Sequence, residues 1–342
     1  MSRGLAGRME RLWARRGAGA LALTPASWVY ALAMAARNTA YDRGLFASRS
    51  LGAPTVSVGN LTVGGTGKTP VSAWVAARLL ALGLRPGILL RGYGDDEPLV
   101  HQRLTPSALV EADPDRFAGA RRARERGATA FVLDDAFQYR RAARDLDLVL
   151  VAAEQGDVTR QLPAGPLREG RGSLTRAHVL VVTRKTASLA VAEDTCRRWS
   201  AGLPELETAV FSLAPSGLAP ADPSSVAVPL ALSALGDRAV VALSAIGDHA
   251  AFESQLARHG ARVVSRAFRD HHAFTDEEIT ALARSADVAD LVVCTLKDAV
   301  KLEGRWPAQA PPLWYLSQAV SVERGATELD RRLRALVPAG PN

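Results

Sequence analysis

Residues 55–69 read TVSVGNLTVGGTGKT, and this stretch decides the fold. It begins with the apolar, β-branched residues of a buried strand, becomes rich in glycine, and ends in Lys68-Thr69. Behind it, apolar residues recur at helical spacing as far as Leu82. A strand, a glycine loop and a Lys-Thr pair at the start of a helix are the context of a phosphate-binding loop. The sequence therefore predicts an α/β fold with a mostly parallel sheet, like that of P-loop NTPases.

The loop itself indicates ATP and Mg²⁺ as cofactors. Its predicted phosphate-binding residues are Gly64, Gly65, Thr66 and Gly67. Glycines let backbone N–H groups face phosphate oxygens, and the helix N-terminus adds partial positive charge. Lys68 would reach the β- and γ-phosphates, and Thr69 would offer its hydroxyl to Mg²⁺. Thr62 replaces the first glycine of the full motif, so a glycine turn that merely opens a helix is the alternative interpretation.

Composition narrows the class of protein. A chain of 342 residues suggests two domains, and the net charge of +7 favours an anionic partner. Nucleic acid is disfavoured as that partner because the arginines are dispersed and no aromatic platform accompanies them. Cys196 and Cys294 have no cysteine or histidine at ligand spacing, which argues against a disulfide scaffold and a structural zinc site.

The N-terminal segment, residues 1–41, is predicted to associate with a membrane. Arginines dominate residues 1–16, and residues 17–36 carry no charge. A secretory signal, a weakly apolar spanning helix and a helix packed on the protein's own core remain alternatives. We favour an amphipathic helix over about residues 25–41, lying at the membrane surface with Trp28 and Leu32 toward lipid and arginines on the headgroups.

Two α/β regions follow this segment. Strands alternate with helices up to about Arg184, which predicts ligands at the carboxyl ends of parallel strands. The segment 201–237 is rich in Pro, Ser, Ala and Gly and is predicted to be a linker. A second α/β pattern follows, with Thr275 and Glu278 at capping-box spacing before a helix. The predicted domains are residues 42–205, the P-loop core, and residues 206–342, a smaller α/β domain.

Charged residues at predicted strand ends are the candidates for chemistry. Asp134-Asp135 follow an apolar strand, as Walker B carboxylates facing Mg²⁺ do, although a solvated turn or an N-cap is the alternative. Gln138 could orient a phosphate or a water. Arg168 lies in a proline-bounded loop and could neutralise transferring phosphate. Other polar clusters stand at Asp95-Asp96-Glu97, at Asp270-His271-His272, and at Thr295, Lys297, Asp298 and Lys301.

Several of these motifs, in this order, resemble the tetraacyldisaccharide 4′-kinase family of lipid A biosynthesis. The resemblance covers nearly the whole chain and includes PASWVYALAMAARNTAYDRG, SVGNLTVGGTGKTP, LRGYG, DDEPLV, LDDAFQYRR, LPAGPLREG, LTRAHVLVVTRK, RDHHAFT and TLKDAVKL. It implies ATP-dependent phosphorylation of a lipid disaccharide 1-phosphate at its 4′-hydroxyl. It also implies a peripheral protein on the cytoplasmic face of the inner membrane, in contact with anionic lipids.

The resemblance also implies roles for individual residues. Asp96 would be the catalytic carboxylate, paired with His271. Mg²⁺ and phosphate would be served by Glu97, Asp134 and Asp135, and substrate and phosphate by Gln138 and Arg168. Because the predicted domains separate Asp96 from His271, we expect that only domain closure brings them together. Asp95 is the alternative to Asp96, since the glycine–acid step is fused to Arg-Gly-Tyr-Gly here.

The chain departs from the family at three further positions. Tyr139 stands where a histidine is usual, His178 where an acid is usual, and Leu296 replaces a glutamate. A function from another class also accounts for the phosphate loop and the N-terminal segment. This alternative is a membrane-associated P-loop ATPase switch that binds a protein partner and needs no dedicated base.

Overall fold

The computed structural model describes residues 13, 21–92, 94, 96–285 and 289–337. The chain forms two compact units, each made of separate stretches of sequence. Unit 1 comprises Met1–Tyr93, Leu104–Leu213 and Val320–Asn342, and unit 2 comprises Gly94–Arg103 and Ala214–Ala319. The sequence predicts consecutive domains, whereas these units interleave along the chain.

Unit 1 contains a parallel sheet with the strand order β3-β2-β4-β1-β5-β6-β7. The strands are β1 (Thr55–Asn60), β2 (Pro86–Leu90), β3 (Leu109–Ala112), β4 (Ala130–Asp134), β5 (Leu146–Ala152), β6 (Val179–Arg184) and β7 (Glu207–Pro220), whose last residues belong to unit 2. Strands β1, β2, β4 and β5 are buried along their whole length. Burial along the whole strand is typical of parallel strands covered on both faces. The predicted mostly parallel α/β fold is confirmed.

Five helices belong to unit 1. They are α1 (Thr24–Asp42), α2 (Lys68–Ala81), α4 (Arg116–Glu125), α5 (Leu189–Ser200) and α9 (Ala326–Arg334) in the described ranges. Helix α1 has one buried residue, Ser27. On α2, Val71, Val75 and Leu79 repeat at helical spacing and enter one core with Leu329 and Leu333 of α9. The C-terminal helix therefore completes the core on which α2 packs.

Gly59 on β1 has no room for a side chain. A Cβ atom at this position would lie 2.5 Å from the backbone nitrogen of Phe137. The absence of that atom lets the segment after β4 approach β1 closely. The side-chain amide of Gln138 consequently donates a 3.0 Å hydrogen bond to the backbone carbonyl of Asn60. This close approach fixes the segment that carries Asp135 beside the start of the phosphate loop.

Unit 2 has a smaller α/β arrangement in the strand order β11-β10-β8-β9, with neighbouring strands parallel. Its strands are β8 (Ala239–Ser244), β9 (Arg262–Ala267), β10 (Leu291–Cys294) and β11 (Leu313–Arg324), whose last residues belong to unit 1. Its helices are α3 (Asp96–Leu104, of which Leu104 belongs to unit 1), α6 (His249–Arg258), α7 (Asp276–Ser285) and α8 (Leu296–Leu302). The capping box before α7 is present: Glu278 accepts from the Thr275 amide at 2.9 Å, and the Thr275 hydroxyl accepts from the Glu278 amide at 3.2 Å.

Two of the described strands were not expected from the sequence. The predicted linker over residues 201–237 contains the strand β7, and β3 was not expected at all. The Ala, Ser, Pro and Gly residues of β7 have low strand propensity, but Val210, Phe211 and Leu213 are buried in the sheet. Burial against neighbouring strands therefore overrides composition here.

None of the helices in the described ranges has both the length and the apolar character needed to cross a membrane.

Candidate active site

The phosphate loop of unit 1 begins its helix as the motif predicts. Gly64 has φ 118° and Gly67 has φ 79°, and both values lie in the region that glycine adopts without strain. Helix α2 starts immediately after Gly67, so Lys68 and Thr69 occupy its first two positions. Backbone N–H groups at the start of a helix point outward and are suited to binding anions.

Neighbouring strands hold the loop in shape. The buried Thr66 side-chain oxygen accepts a 3.0 Å hydrogen bond from the Asn60 amide, and its carbonyl accepts one of 3.0 Å from the Thr183 hydroxyl. The Thr62 hydroxyl donates to Gln155 over 2.8 Å. These bonds fix the loop from β1, β6 and the turn after β5, so little ordering remains to be done when a phosphate binds.

Two cations meet at one carboxylate oxygen beside this loop. The Arg168 guanidinium donates to Oδ1 of Asp135 over 2.7 Å, and Nζ of Lys68 lies 3.8 Å from the same oxygen. Asp135 has φ 52°, a left-handed conformation that aspartate tolerates better than most residues. Such backbone conformations persist where the surrounding structure enforces them, and they cluster at functional sites. The structure thus brings together three of the predicted site residues.

Asp134 ends β4 against helix α2. Its Oδ1 accepts a 3.1 Å hydrogen bond from the hydroxyl of Ser72, and the residue is 8% exposed. Ser72 is three residues after Thr69 and so shares a face of α2 with it. Asp134 consequently packs on the helix face that carries Thr69, as a Walker B carboxylate should. The sequence prediction missed Ser72, although its spacing from Thr69 could have revealed it.

The side chains of Thr69, Asp134 and Asp135 fit Mg²⁺. A threonine hydroxyl and the carboxylate oxygens of Asp134 and Asp135 are hard oxygen donors, which Mg²⁺ prefers. Within the described ranges, no group of three or more His, Cys, Asp or Glu side chains could hold a metal ion by itself. Mg²⁺ usually takes one or two carboxylates together with substrate phosphates, so a site of few protein ligands suits it. Glu97, the other predicted ligand, belongs to unit 2.

A buried arginine supports the Asp134-Asp135 corner and was not predicted. Arg116 donates to the backbone carbonyl of Asp134 over 3.4 Å, and its guanidinium lies 5.7 Å from the ring centre of Tyr139. Burial lowers the pKa of Arg116, while the nearby Tyr139 and Asp134 raise it. Tyr139, the residue that replaces the usual histidine, therefore contacts this arginine.

Asp96 and His271 meet inside unit 2. Nδ1 of His271 lies 3.2 Å from Oδ2 of Asp96, and Nε2 lies 3.7 Å from Oδ1 of Asp270. The expectation that domain closure must join Asp96 and His271 is wrong, because Gly94–Arg103 and His271 belong to the same compact unit. Asp95, the alternative carboxylate, lies outside the described residues.

The Asp96 carboxylate is confined. Asp96 is 5% exposed, and its Oδ2 makes no hydrogen bond with any residue that the structure describes. A Cβ atom on Gly94 would lie 2.7 Å from its other oxygen, so this glycine has no room for a side chain. A buried acceptor without a donor is costly, which makes Oδ2 available to a donor from a bound molecule.

A second acid and a lysine complete this cluster. Nζ of Lys301 lies 3.9 Å from Oδ2 of Asp96 and 3.5 Å from Oδ1 of Asp298. The other oxygen of Asp298 accepts hydrogen bonds from the Ala245 amide at 3.0 Å and the Thr295 hydroxyl at 2.7 Å. The sequence pattern noted Asp298 and Lys301 at a strand end but assigned them no role, since nothing local connects them to Asp96.

The predicted site residues therefore form two groups. In unit 1, Lys68 and Arg168 both contact Asp135, Thr69 lies in the first turn of α2, Asp134 bonds to Ser72 of that helix, and Gln138 binds the backbone of β1. In unit 2, Asp96 contacts His271, and Glu97 follows Asp96 in the first turn of α3. Each group is built within its own unit.

The chain is similar in sequence and in structure to known proteins. Residues 19–337 match the family model described as tetraacyldisaccharide-1-P 4′-kinase. The chain is 37% identical to the tetraacyldisaccharide 4′-kinase of Anaeromyxobacter sp. (strain Fw109-5), with 97% of each chain covered. It is 33% identical to the enzyme of that name from Chlorobium luteolum, with 92% of this chain and 97% of the relative covered. The crystal structure of LpxK from Aquifex aeolicus in complex with ATP superposes with a TM-score of 0.74 at 27% identity, covering 93% of this chain and 99% of that one.

Proposed function

Since the chain belongs to the tetraacyldisaccharide 4′-kinase family of lipid A biosynthesis, we propose that it transfers the γ-phosphoryl group of ATP to the 4′-hydroxyl of a tetraacyldisaccharide 1-phosphate, with Mg²⁺ as cofactor. The observation that carries the chemical step is the confined Asp96 carboxylate beside His271. A P-loop ATPase switch has no need for such a base, so the alternative function is not favoured.

Unit 1 supplies the phosphate end of the reaction. The loop amides and Lys68 would surround the transferring phosphate and stabilise the charge that develops on its oxygens. Arg168 is held ready by Asp135, from which it can turn to the same oxygens. Thr69, Asp134 and Asp135 would hold Mg²⁺. When bound, the ion would neutralise the phosphate oxygens and orient them for in-line displacement.

Unit 2 supplies the base. Asp96 would accept the proton of the 4′-hydroxyl at Oδ2, the oxygen that makes no hydrogen bond among the described residues. His271, 3.2 Å away, would orient the carboxylate and share the charge. A free aspartate, with a pKa of about 3.9, is a weak base, so the contribution of Asp96 is mainly its position. His271 and Lys301, the two neighbours of its Oδ2, fix that position.

Helix α1 is proposed to place the enzyme on the cytoplasmic face of the inner membrane. Trp28, Val29 and Leu32 are 70%, 71% and 72% exposed on this helix. A large exposed apolar surface of this kind marks an interaction site, and arginines in residues 1–16 would add attraction to anionic lipids. Moving acyl chains through water costs about 0.8 kcal/mol per CH₂, so the enzyme gains by meeting its substrate at the membrane.

The assay that tests this function supplies labelled ATP with and without tetraacyldisaccharide 1-phosphate. We expect label to appear on the 4′ position of the lipid, and Asp96→Asn and His271→Ala each to lower kcat strongly while ATP still binds. The double variant should lose little more than the worse single variant, because residues that act as a unit are far from additive. Slow hydrolysis of ATP without lipid labelling would identify a switch instead.

A further inference from the structure

Lys301 connects the proposed base to a buried acid on helix α8. Its ammonium lies 3.9 Å from Oδ2 of Asp96 and 3.5 Å from Oδ1 of Asp298, and its side chain is 15% exposed. A lysine side chain has a flexible four-carbon stem, so an ion pair at one end fixes it only when the partner is itself fixed. Whether the Lys301 ammonium is held in place therefore depends on how firmly Asp298 is held.

Asp298 is rigidly held. It is completely buried, and one of its oxygens accepts both the backbone N–H of Ala245 and the hydroxyl of Thr295. A buried carboxylate is costly unless it is paired and hydrogen-bonded, and these donors together with Lys301 meet that requirement. Asp298 has its remaining oxygen toward Lys301 and so anchors the lysine inside unit 2.

The same Asp96 oxygen is approached by His271 at 3.2 Å and by Lys301 at 3.9 Å. Oδ2 has no hydrogen bond within the part of the chain that the structure describes, so the His271 ring and the Lys301 ammonium are the neighbours that define its position. His271 is in turn fixed through its backbone N–H, which donates to the carbonyl of Ala245 over 3.0 Å. Ala245 thus links both supports of the carboxylate, through its carbonyl to His271 and through its N–H to Asp298.

We propose that Lys301, anchored by Asp298, is a positioning residue that holds the Asp96 carboxylate in the geometry required to take the proton of the acceptor hydroxyl. This inference rests on the proposed role of Asp96 as the base. A displacement of about 1 Å at a reacting group can cost about 100-fold in rate. Loss of the cation should therefore appear in kcat rather than in substrate binding.

The test compares Lys301→Met and Lys301→Arg with Arg305→Met as a matched control. Arg305 pairs with Asp276 over 2.6 Å, and it also belongs to unit 2, so its replacement removes a paired cation away from Asp96. We expect Lys301→Met to lower kcat about 100-fold with KM for ATP and lipid within about twofold. Lys301→Arg should recover much of the lost rate, and Arg305→Met should leave kcat unchanged.

Contrary results have distinct meanings. Unchanged kcat in Lys301→Met overturns the inference, and so does a rise in the KM for lipid alone, which would make Lys301 a binding residue. A lowered unfolding temperature without rescue by arginine would make it a structural ion pair and also overturn the inference.

A double-variant comparison separates this inference from the role of Asp96. If Lys301 acts through Asp96, Lys301→Met should cost nothing further in the Asp96→Asn background. Independent, multiplying losses would overturn the inference while leaving Asp96 as the base. Near-normal kcat in Asp96→Asn alone would refute the proposed base and the positioning role together.

Discussion

The phenol hydroxyl of Tyr30 donates a 2.9 Å hydrogen bond to the backbone carbonyl of Arg168. Helix α1 is tied to residues 161–169 by further bonds from Ser27 and Asn38, at 2.8 and 2.9 Å. The Arg168 amide in turn donates to the carbonyl of Leu61 over 2.7 Å, at the entrance to the phosphate loop. A helix with exposed apolar side chains is therefore bonded, through one short loop, to the predicted phosphate-binding residues.

Replacing Tyr30 tests this connection. Tyr30→Phe should lower stability by about 1 kcal/mol, the usual net worth of one hydrogen bond, and reduce kcat because Arg168 is held less firmly. Tyr41→Phe on the same helix is the control, since no hydrogen bond of its hydroxyl to a described residue is seen. Thermal unfolding and the lipid kinase assay measure the two effects. Equal kinetics in both variants would show that the bond does not reach the site.

The exposed face of α1 can be tested by charge. Leu32→Glu should weaken binding to vesicles of anionic lipid and raise the KM for the lipid substrate, because a carboxylate opposes both burial and the negative surface. Val226→Glu is the control variant, since it places the same charge on an exposed valine, 100% exposed, in unit 2. Co-sedimentation with vesicles measures binding. The anchoring role is refuted if both variants sediment as the unmodified protein does.

Lys68 should be indispensable for transfer. Lys68→Ala is expected to lower kcat by about 10²- to 10³-fold or more, because it removes a cation from the charge that develops during transfer. Folding should be retained, since the loop is also held through Thr66 and Thr62. Single-turnover phosphorylation and circular dichroism measure the two properties. Near-normal turnover would mean that the loop is only structural.

Two variants of Asp135 distinguish the role of its left-handed backbone conformation from the role of its charge. Asp135→Asn should fold with little loss of stability, because asparagine tolerates a left-handed φ, yet it should lose most activity with the carboxylate. Asp135→Val should in addition lose about 1–3 kcal/mol of unfolding free energy, since a β-branched residue is strained at φ 52°. Chemical denaturation compares the variants. Full activity in Asp135→Asn would exclude a role for the charge.

Gly94 should control the placement of Asp96. In Gly94→Ala, the new methyl group would lie 2.7 Å from Oδ1 of Asp96, so the carboxylate must move from its contact with His271. We expect kcat to fall by about 10- to 100-fold while ATP binding is preserved. Gly83→Ala is a control, because a Cβ there meets nothing within 4 Å, although its φ of 82° adds some strain. Similar kinetics in the two variants would contradict this steric argument.

The sequence could predict what local chemistry determines. The phosphate loop, the Asp134-Asp135 strand end and the Thr275 capping box each depend on residues a few positions apart, so their spacing alone identified them. Strand β7 could not be predicted, because its burial depends on neighbours distant in the chain. The contact of Asp96 with His271 and Lys301 likewise depends on the assignment of ten residues after β2 to unit 2, which no local pattern encodes.

The interleaving of the two units has a consequence for dividing the gene. A fragment that encodes residues 214–319 would carry His271, Asp298 and Lys301 but no Asp96. A fragment that ends at residue 213 would carry Asp96 on α3 without any of the partners described for its Oδ2. Neither fragment would contain Asp96 together with His271 and Lys301. We therefore expect co-expressed fragments to restore phosphorylation only if they associate with each other. Because Gly94–Arg103 belongs to unit 2, this kinase cannot be divided into two independent domains near residue 213, where the two α/β patterns of the sequence suggest a boundary.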